Sequence, residues 1–408
     1  MLLLLTVAAL GQQLDDDNAV PLDHPAIRYR DKAPNDAISK LEASHPKLAY
    51  ASNGLGYLPA LLKALNINVD SQALVFSKTS TQVSHINPRT PRAIYFNDEV
   101  SVGYVQGSDV LEFAALDPTQ GVKLYSLDVE QAKTIEFARR DDCLLCHQGA
   151  ATLNIPGMLI ASVRPSSVGR DRHGNSFVTD HRSPIGDRWG GWYVTGTTGM
   201  MHHLGNNVGL WDPLHPGPPT GEETQNVTSL EGRFDVSKYL APTSDVVALM
   251  VLEHQTRMTN LLVRIGWDAR IAEHDGKPAS SLNDEIEELV SYMLFADEAV
   301  LTSPVKGVST FSKTFPERGP KDKQGRSLRD LDLNTRLFRY PLSYMIYSPT
   351  FDALPEAAKS RIYQRLWEVL SGKEQSKTYA RLSAEDRQAI LGIVRGTKVG
   401  LPGYWSSN

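Results

Sequence analysis

Cysteine is nearly absent from this sequence: Cys143 and Cys146 are the only two in 408 residues. A disulfide framework of the kind that staples small secreted domains is excluded, as is a structural zinc site built from two Cys pairs. Positive charge is not in surplus. Lys and Arg number 42 against 47 Asp and Glu, a net charge of −5, and no basic run stands out, so nucleic acid is not an expected partner. Long apolar runs are missing too. The opening Met1-Leu-Leu-Leu-Leu-Thr-Val-Ala-Ala-Leu spans about ten residues, too few for a helix that crosses a bilayer. No later segment reaches that length without charge, so no membrane span is expected. No internal repeat is visible.

What is present suffices for a sizeable core. The chain is 41 % hydrophobic and 22 % charged, and its length suits two or three domains or one large elaborated one. The two cysteines carry the strongest local signal. Asp141 to Gly149 reads Asp-Asp-Cys-Leu-Leu-Cys-His-Gln-Gly, which contains Cys-x-x-Cys-His, the attachment signature of c-type haem. Two thiols add across the two vinyl groups of haem, so they need a fixed separation on one turn of chain. The adjacent imidazole of His147 is then held under the ring as proximal iron ligand. A Cys-x-x-Cys redox pair or a Cys143–Cys146 disulfide would use the same thiols. A redox pair usually opens a helix after a buried strand, and Phe137-Ala-Arg-Arg-Asp-Asp does not read as one.

Residues 1–11 read as the remnant of a secretory signal, ending in small residues but lacking a basic start. That reading places the chain in the periplasm or outside the cell, where haem c is attached in bacteria. Residues 12–50 form a polar arm with one helix near Asp36–Glu42, and Tyr57–Leu65 reads as a second short helix. From Ala93 the apolar period becomes two. Ala93–Phe96, Val100–Val105, Val110–Ala115 and Val122–Ser126 are separated by turn-forming residues, a pattern of antiparallel hairpins. Pro156–Val163 reads as a further strand. Gly169–Pro219 is dense in Gly, Pro, His, Arg and Trp, and long ordered loops of this kind carry function. Beyond it the period is helical, over Val246–Glu273, Asn283–Phe295, a segment between Pro355 and Gly372, and one opened by Ser383. The expected fold is α+β. A β-rich haem-bearing region covers 51–240, a helical region over 241–408 packs on it, and the haem motif lies at their junction.

Haem iron takes a sixth ligand for electron transfer and keeps an open position for chemistry. Met200, Met201, His202 and His203 cluster between Gly196-Thr-Thr-Gly and Gly205-Asn-Asn. His203 is taken as the distal ligand, with Met200, Met201, His202, His181 and His254 as the other candidates. Met158 reads as core. Asp180 is placed to orient His181, and His181 with Arg182 is the candidate acid/base and charge stabiliser. Arg188 and Trp189 are candidate haem contacts, the guanidinium for a propionate and the indole for the ring. Arg326, Arg329, Arg336 and Arg339 suit the haem propionates, a substrate pocket or ion pairs with Asp330 and Asp332. His254 sits at an apolar helix edge and reads first as a satisfied buried histidine.

Asp142-Cys-Leu-Leu-Cys-His, Phe177-Val-Thr-Asp-His-Arg-Ser-Pro, Arg188-Trp-Gly-Gly-Trp-Tyr-Val-Thr-Gly, His203-Leu-Gly-Asn, Leu252-Glu-His-Gln and Tyr340-Pro-Leu-Ser-Tyr together resemble a family of large exported c-type cytochromes that carry a single haem. The resemblance runs from about Pro91 to Trp405. It implies one covalent haem c and export, and it names no reaction. Size favours a redox enzyme of peroxidase or oxygenase type, because an electron carrier needs only about a hundred residues. It would act with a small-molecule substrate or a redox partner protein. A six-coordinate electron-transfer or sensing cytochrome is the alternative, and a non-haem exported protein with a Cys143–Cys146 disulfide is the third reading.

Overall fold

The period-two runs become strands, and their burial explains the sheet. The computed structural model describes residues 20–170, 176–209 and 221–406. The expected signal segment, 1–11, and part of the Gly169–Pro219 stretch lie outside these. In chain order, α1 (Ala37–Ala43) and α2 (Leu58–Ala64) precede β1 (Ala73–Val75), β2 (Arg92–Phe96), β3 (Val100–Tyr104), β4 (Val110–Asp117), β5 (Gly121–Asp128) and β6 (Ala138–Arg139). The motif helix α3 (Leu144–His147), β7 (Ala161–Ser162), β8 (Phe177–Val178) and β9 (Trp192–Tyr193) follow. Among the described residues, seven strands form one antiparallel sheet in the order β6-β5-β4-β3-β2-β1-β9, and β7 pairs with β8.

Alternation along β4 sets the two faces. Leu111, Phe113 and Ala115 point one way, into a core shared with Ile38 of α1 and Leu58, Leu61 and Leu62 of α2. Ala114 and Leu116 point the other way, with Val122 and Leu124 of β5, against Val263 and Trp267 of α4 (Val246–His274). Burying such side chains contributes about 1.5–3 kcal/mol each. Asp245 starts α4 by accepting from the N–H groups of Val247 and Ala248, and the same carboxylate accepts from Val308 and Ser309. α4 is buried on most of its surface, with Glu253, His254 and Asn260 inside beside its apolar residues, so it runs through the interior. Against it pack α5 (Asn283–Met293), α6 (Phe311–Glu317), α7 (Pro349–Asp352) and α8 (Glu356–Leu370), and α9 (Ala384–Thr397) packs on α8. The fold is therefore α+β, with the sheet in the N-terminal half and helices in the C-terminal half.

One expectation needs correction. Pro156–Val163 is extended, but only Ala161–Ser162 pairs as a strand. The carbonyls of Pro156 and Gly157 are taken by Val122 and His147 instead. The described part of the arm packs on the body of the protein. Val20, Leu22, Ile27 and Tyr29 are buried against the sheet and α4, and Tyr29 donates to the Val122 carbonyl at 2.6 Å.

Candidate functional site

Cys143, Cys146 and His147 lie on one continuous helical turn, a 3-10 turn over Asp141–Cys143 running into α3. Spacings of three and four residues make Cys146 and His147 each a neighbour of Cys143 on that turn. Leu144 anchors the turn by burial beside Cys143 and Met158, while Leu145 points outward and is 90 % exposed. No disulfide joins the two cysteines. Burial, reinforced by Asp142, pushes the Cys143 thiol up, the reverse of the depressed thiol that a redox cysteine uses.

His147 is fixed more tightly than its thiol neighbours. Its Nδ1 lies 3.0 Å from the carbonyl of Gly157. A carbonyl only accepts, so Nδ1 carries the proton and Nε2 presents a lone pair, the form a metal-binding imidazole needs. Burial holds the ring below its ordinary range and therefore neutral. Gly157 is itself clamped. Asn260 of α4 donates to the Met158 carbonyl at 2.7 Å and accepts from the Met158 N–H at 3.3 Å. A Cβ at position 157 would stand 2.4 Å from the Asn260 Oδ1, so glycine is required there. Beside His147 the sheet carries an ion pair, Arg92 to Glu112 at 2.7 Å, which crosses β3 where Gly103 leaves room. Burial pushes the Glu112 carboxyl up, but Arg92 and a hydrogen bond from Thr81 outweigh it and hold it low. The donor set fits covalent haem: two thiols and one lone-pair nitrogen on one turn, the nitrogen oriented by a backbone carbonyl.

The other predicted residues gather elsewhere. His181 and His254 are fully buried and nearly parallel, with Nδ1 atoms 2.8 Å apart. Tyr292 and Phe295 stack on the His181 ring, and His254 Nε2 meets Ser343 Oγ at 2.8 Å. Burial drives the His254 imidazole down to about 3 and His181 well below its usual range, so both are neutral. The Nε2 of His181 is buried without a partner. Asp180 does not orient the His181 ring; it grips Arg182 through both oxygens, and Arg182 lies over Tyr292. Arg188 and Trp189 are interior as well. Arg188 bonds to Glu253 at 3.1 Å and to the carbonyls of His181 and Ser183, so its charge is already matched inside the protein. Trp189 is fully buried, edge-on to His203.

His203 does not present a ligand form. Its Nδ1 accepts from the Gly205 N–H at 3.1 Å, which puts the proton of a neutral ring on Nε2. Burial, then His202, lowers it to about 3. Met201 is buried with its sulfur accepting from the Thr302 N–H at 3.2 Å, Met200 is 81 % exposed, and His202 is half-buried. Met158, read as core, shares the cluster that holds Cys143. In the Arg-rich stretch, Arg326, Arg329 and Arg336 pair with Asp322, Asp98 and Asp386, not with Asp330 or Asp332. Gly157, Asn260, Glu112 and Glu253 were not legible as site residues. No motif marks them, because each acts through a contact distant in sequence. Comparison of the chain with protein-family models, with curated proteins and with solved structures found no match.

Proposed function

We propose that this chain binds one haem c, attached through Cys143 and Cys146 with His147 as proximal iron ligand, and that it is a redox enzyme of peroxidase or oxygenase type acting in the periplasm or outside the cell. One observation carries the haem reading. Both thiols and the His147 imidazole stand on one short helical turn, and the Gly157 carbonyl fixes the imidazole with Nε2 unprotonated. Haem bound there supplies one-electron and oxygen chemistry. The chain's own part is to hold His147. The Gly157 bond orients the ring and raises the basicity of Nε2, while the Arg92–Glu112 pair sets the charge beside it. The size of the chain around a single such turn favours an enzyme with a small-molecule substrate.

A six-coordinate electron-transfer or sensing cytochrome is the second reading. It is favoured by the exposure of Leu145 and Cys146, which leaves that edge open to a redox partner protein. The test is expression in a host that attaches haem c, followed by oxidised and reduced spectra and thiol titration. An α-band in the reduced form, lost in the Cys143→Ala/Cys146→Ala variant, is expected. A chain with no α-band and two titratable thiols ends both haem readings. A high-spin ferric spectrum that responds to peroxide supports the enzyme, and a low-spin spectrum inert to added ligands supports the carrier.

A further inference from the structure

Away from the motif, three ligand groups converge where the N-terminal segment meets the end of α4. His24, His274 and Asp275 each bring one nitrogen or oxygen to within 4.8 Å of the others. The two imidazoles meet edge to face, with centroids 5.2 Å apart. Asp275 Oδ1 lies 3.1 Å from His274 Nδ1 and 3.8 Å from His24 Nε2. His274 closes the last turn of α4 and Asp275 is its C-cap, so the negative end of the helix adds attraction for a cation.

From this geometry we infer a second site, in which His24, His274 and Asp275 bind a divalent transition metal such as Ni2+, Cu2+ or Zn2+. Two imidazoles with one carboxylate suit these ions, whereas Mg2+ and Ca2+ demand oxygen ligands. Water fills the remaining positions, because His274 and Asp275 are partly open to solvent. Two contacts oppose loading. Lys277 Nζ stands 3.3 Å from Asp275 Oδ2 and competes for the carboxylate. The Ala26 N–H donates to His24 Nδ1 at 3.2 Å, which leaves the proton on Nε2, so binding through Nε2 displaces that proton and breaks the Ala26 bond. The site is therefore weak as built, and its affinity is limited by identifiable groups. Its consequence is a clip. The metal ties the segment bearing Val20, Leu22, Ile27 and Tyr29 to α4, and these residues pack in the cluster that also touches Cys143.

The experiment is calorimetric titration of NiCl2 into chelator-treated full chain near neutral pH, with His24→Ala, His274→Ala and Lys277→Ala in parallel. One saturable equivalent is expected at the site. Either histidine variant should weaken it about tenfold or more, since each removes one of three ligands, and Lys277→Ala should tighten it. Binding at Cys143 and Cys146 is common to all four proteins and cancels in the comparison. Unchanged metal-free unfolding midpoints show that the variants fold. With Cu2+, the spin spectrum should show coupling to two imidazole nitrogens. Affinity unchanged in both histidine variants, or no saturable binding in the Lys277→Ala protein, overturns the inference.

Discussion

His181 and His254 face one another through their Nδ1 atoms at 2.8 Å, buried and neutral, so one ring must donate and the other accept. The chain of contacts runs on from His254 Nε2 to Ser343 Oγ. In either arrangement the donating ring has a bare Nε2 and the accepting ring carries its proton on Nε2. His254→Ala removes the partner of both His181 and Ser343 and opens a cavity, and it should cost about 2–4 kcal/mol. His181→Ala should cost a similar amount, and the double variant less than the sum of the two, because both remove the same bond. Urea unfolding of the three proteins checks this; additive costs would contradict the shared-bond account.

Asn260 is expected to matter to His147 without touching it. Asn260→Ala strands the N–H and carbonyl of Met158 and should cost about 2 kcal/mol. It also frees the Gly157 carbonyl that orients the imidazole. Gly157→Ala should be worse, since its Cβ meets Asn260 itself. Unfolding measurements report the stability loss. With haem attached as proposed, the ferric and ferrous spectra report whether the environment of His147 shifts with it, and a spectrum unchanged in both variants would separate Gly157 from the site.

Arg188 and Glu253 form an ion pair in which both side chains are almost wholly buried. Burial pushes the Glu253 carboxyl up to about 7 in spite of Arg188. A carboxyl raised in the folded state contributes stability below about pH 4.5 that is lost as pH rises through 7. Arg188→Met strands the carboxyl and should cost about 3–5 kcal/mol at neutral pH. The loss should shrink on acidification, as Glu253 takes up a proton. Denaturation of wild type and variant across this pH range tests the slope, and a cost independent of pH would refute it.

His203 gives the opposite slope. Burial lowers it from 6.5 to about 3, so its contribution is complete above pH 6.5 and is lost as pH falls toward 3. Each pH unit in that window removes about 1.4 kcal/mol. His203→Gln should flatten the acid limb of the stability curve relative to wild type. Identical acid limbs in the two proteins would show that the ring is not held neutral.

Much of the fold was legible because local rules decide it. The turns at Asn97-Asp98 and Asp117–Gly121 and the alternation between them specify β2 to β5, and Asp36, Asp245 and Ser383 start helices as N-caps do. The site was legible only as far as the motif. His203 looked like a ligand because it stands in a loop rich in Met and His. Only the folded chain shows that Gly205 takes its Nδ1.

By itself, the sequence determined what depends on neighbours along the chain: the hairpin periodicity, the helix caps, and the spacing that puts Cys143, Cys146 and His147 on one turn. The tertiary structure decided what depends on partners far away. Asn260 reaches across about a hundred positions to hold Met158, Glu253 neutralises Arg188, and His254 pairs with His181. A residue's type sets which bonds it is able to make. Burial and the choice of partner set its proton, and those exist only once the sheet and α4 have packed together.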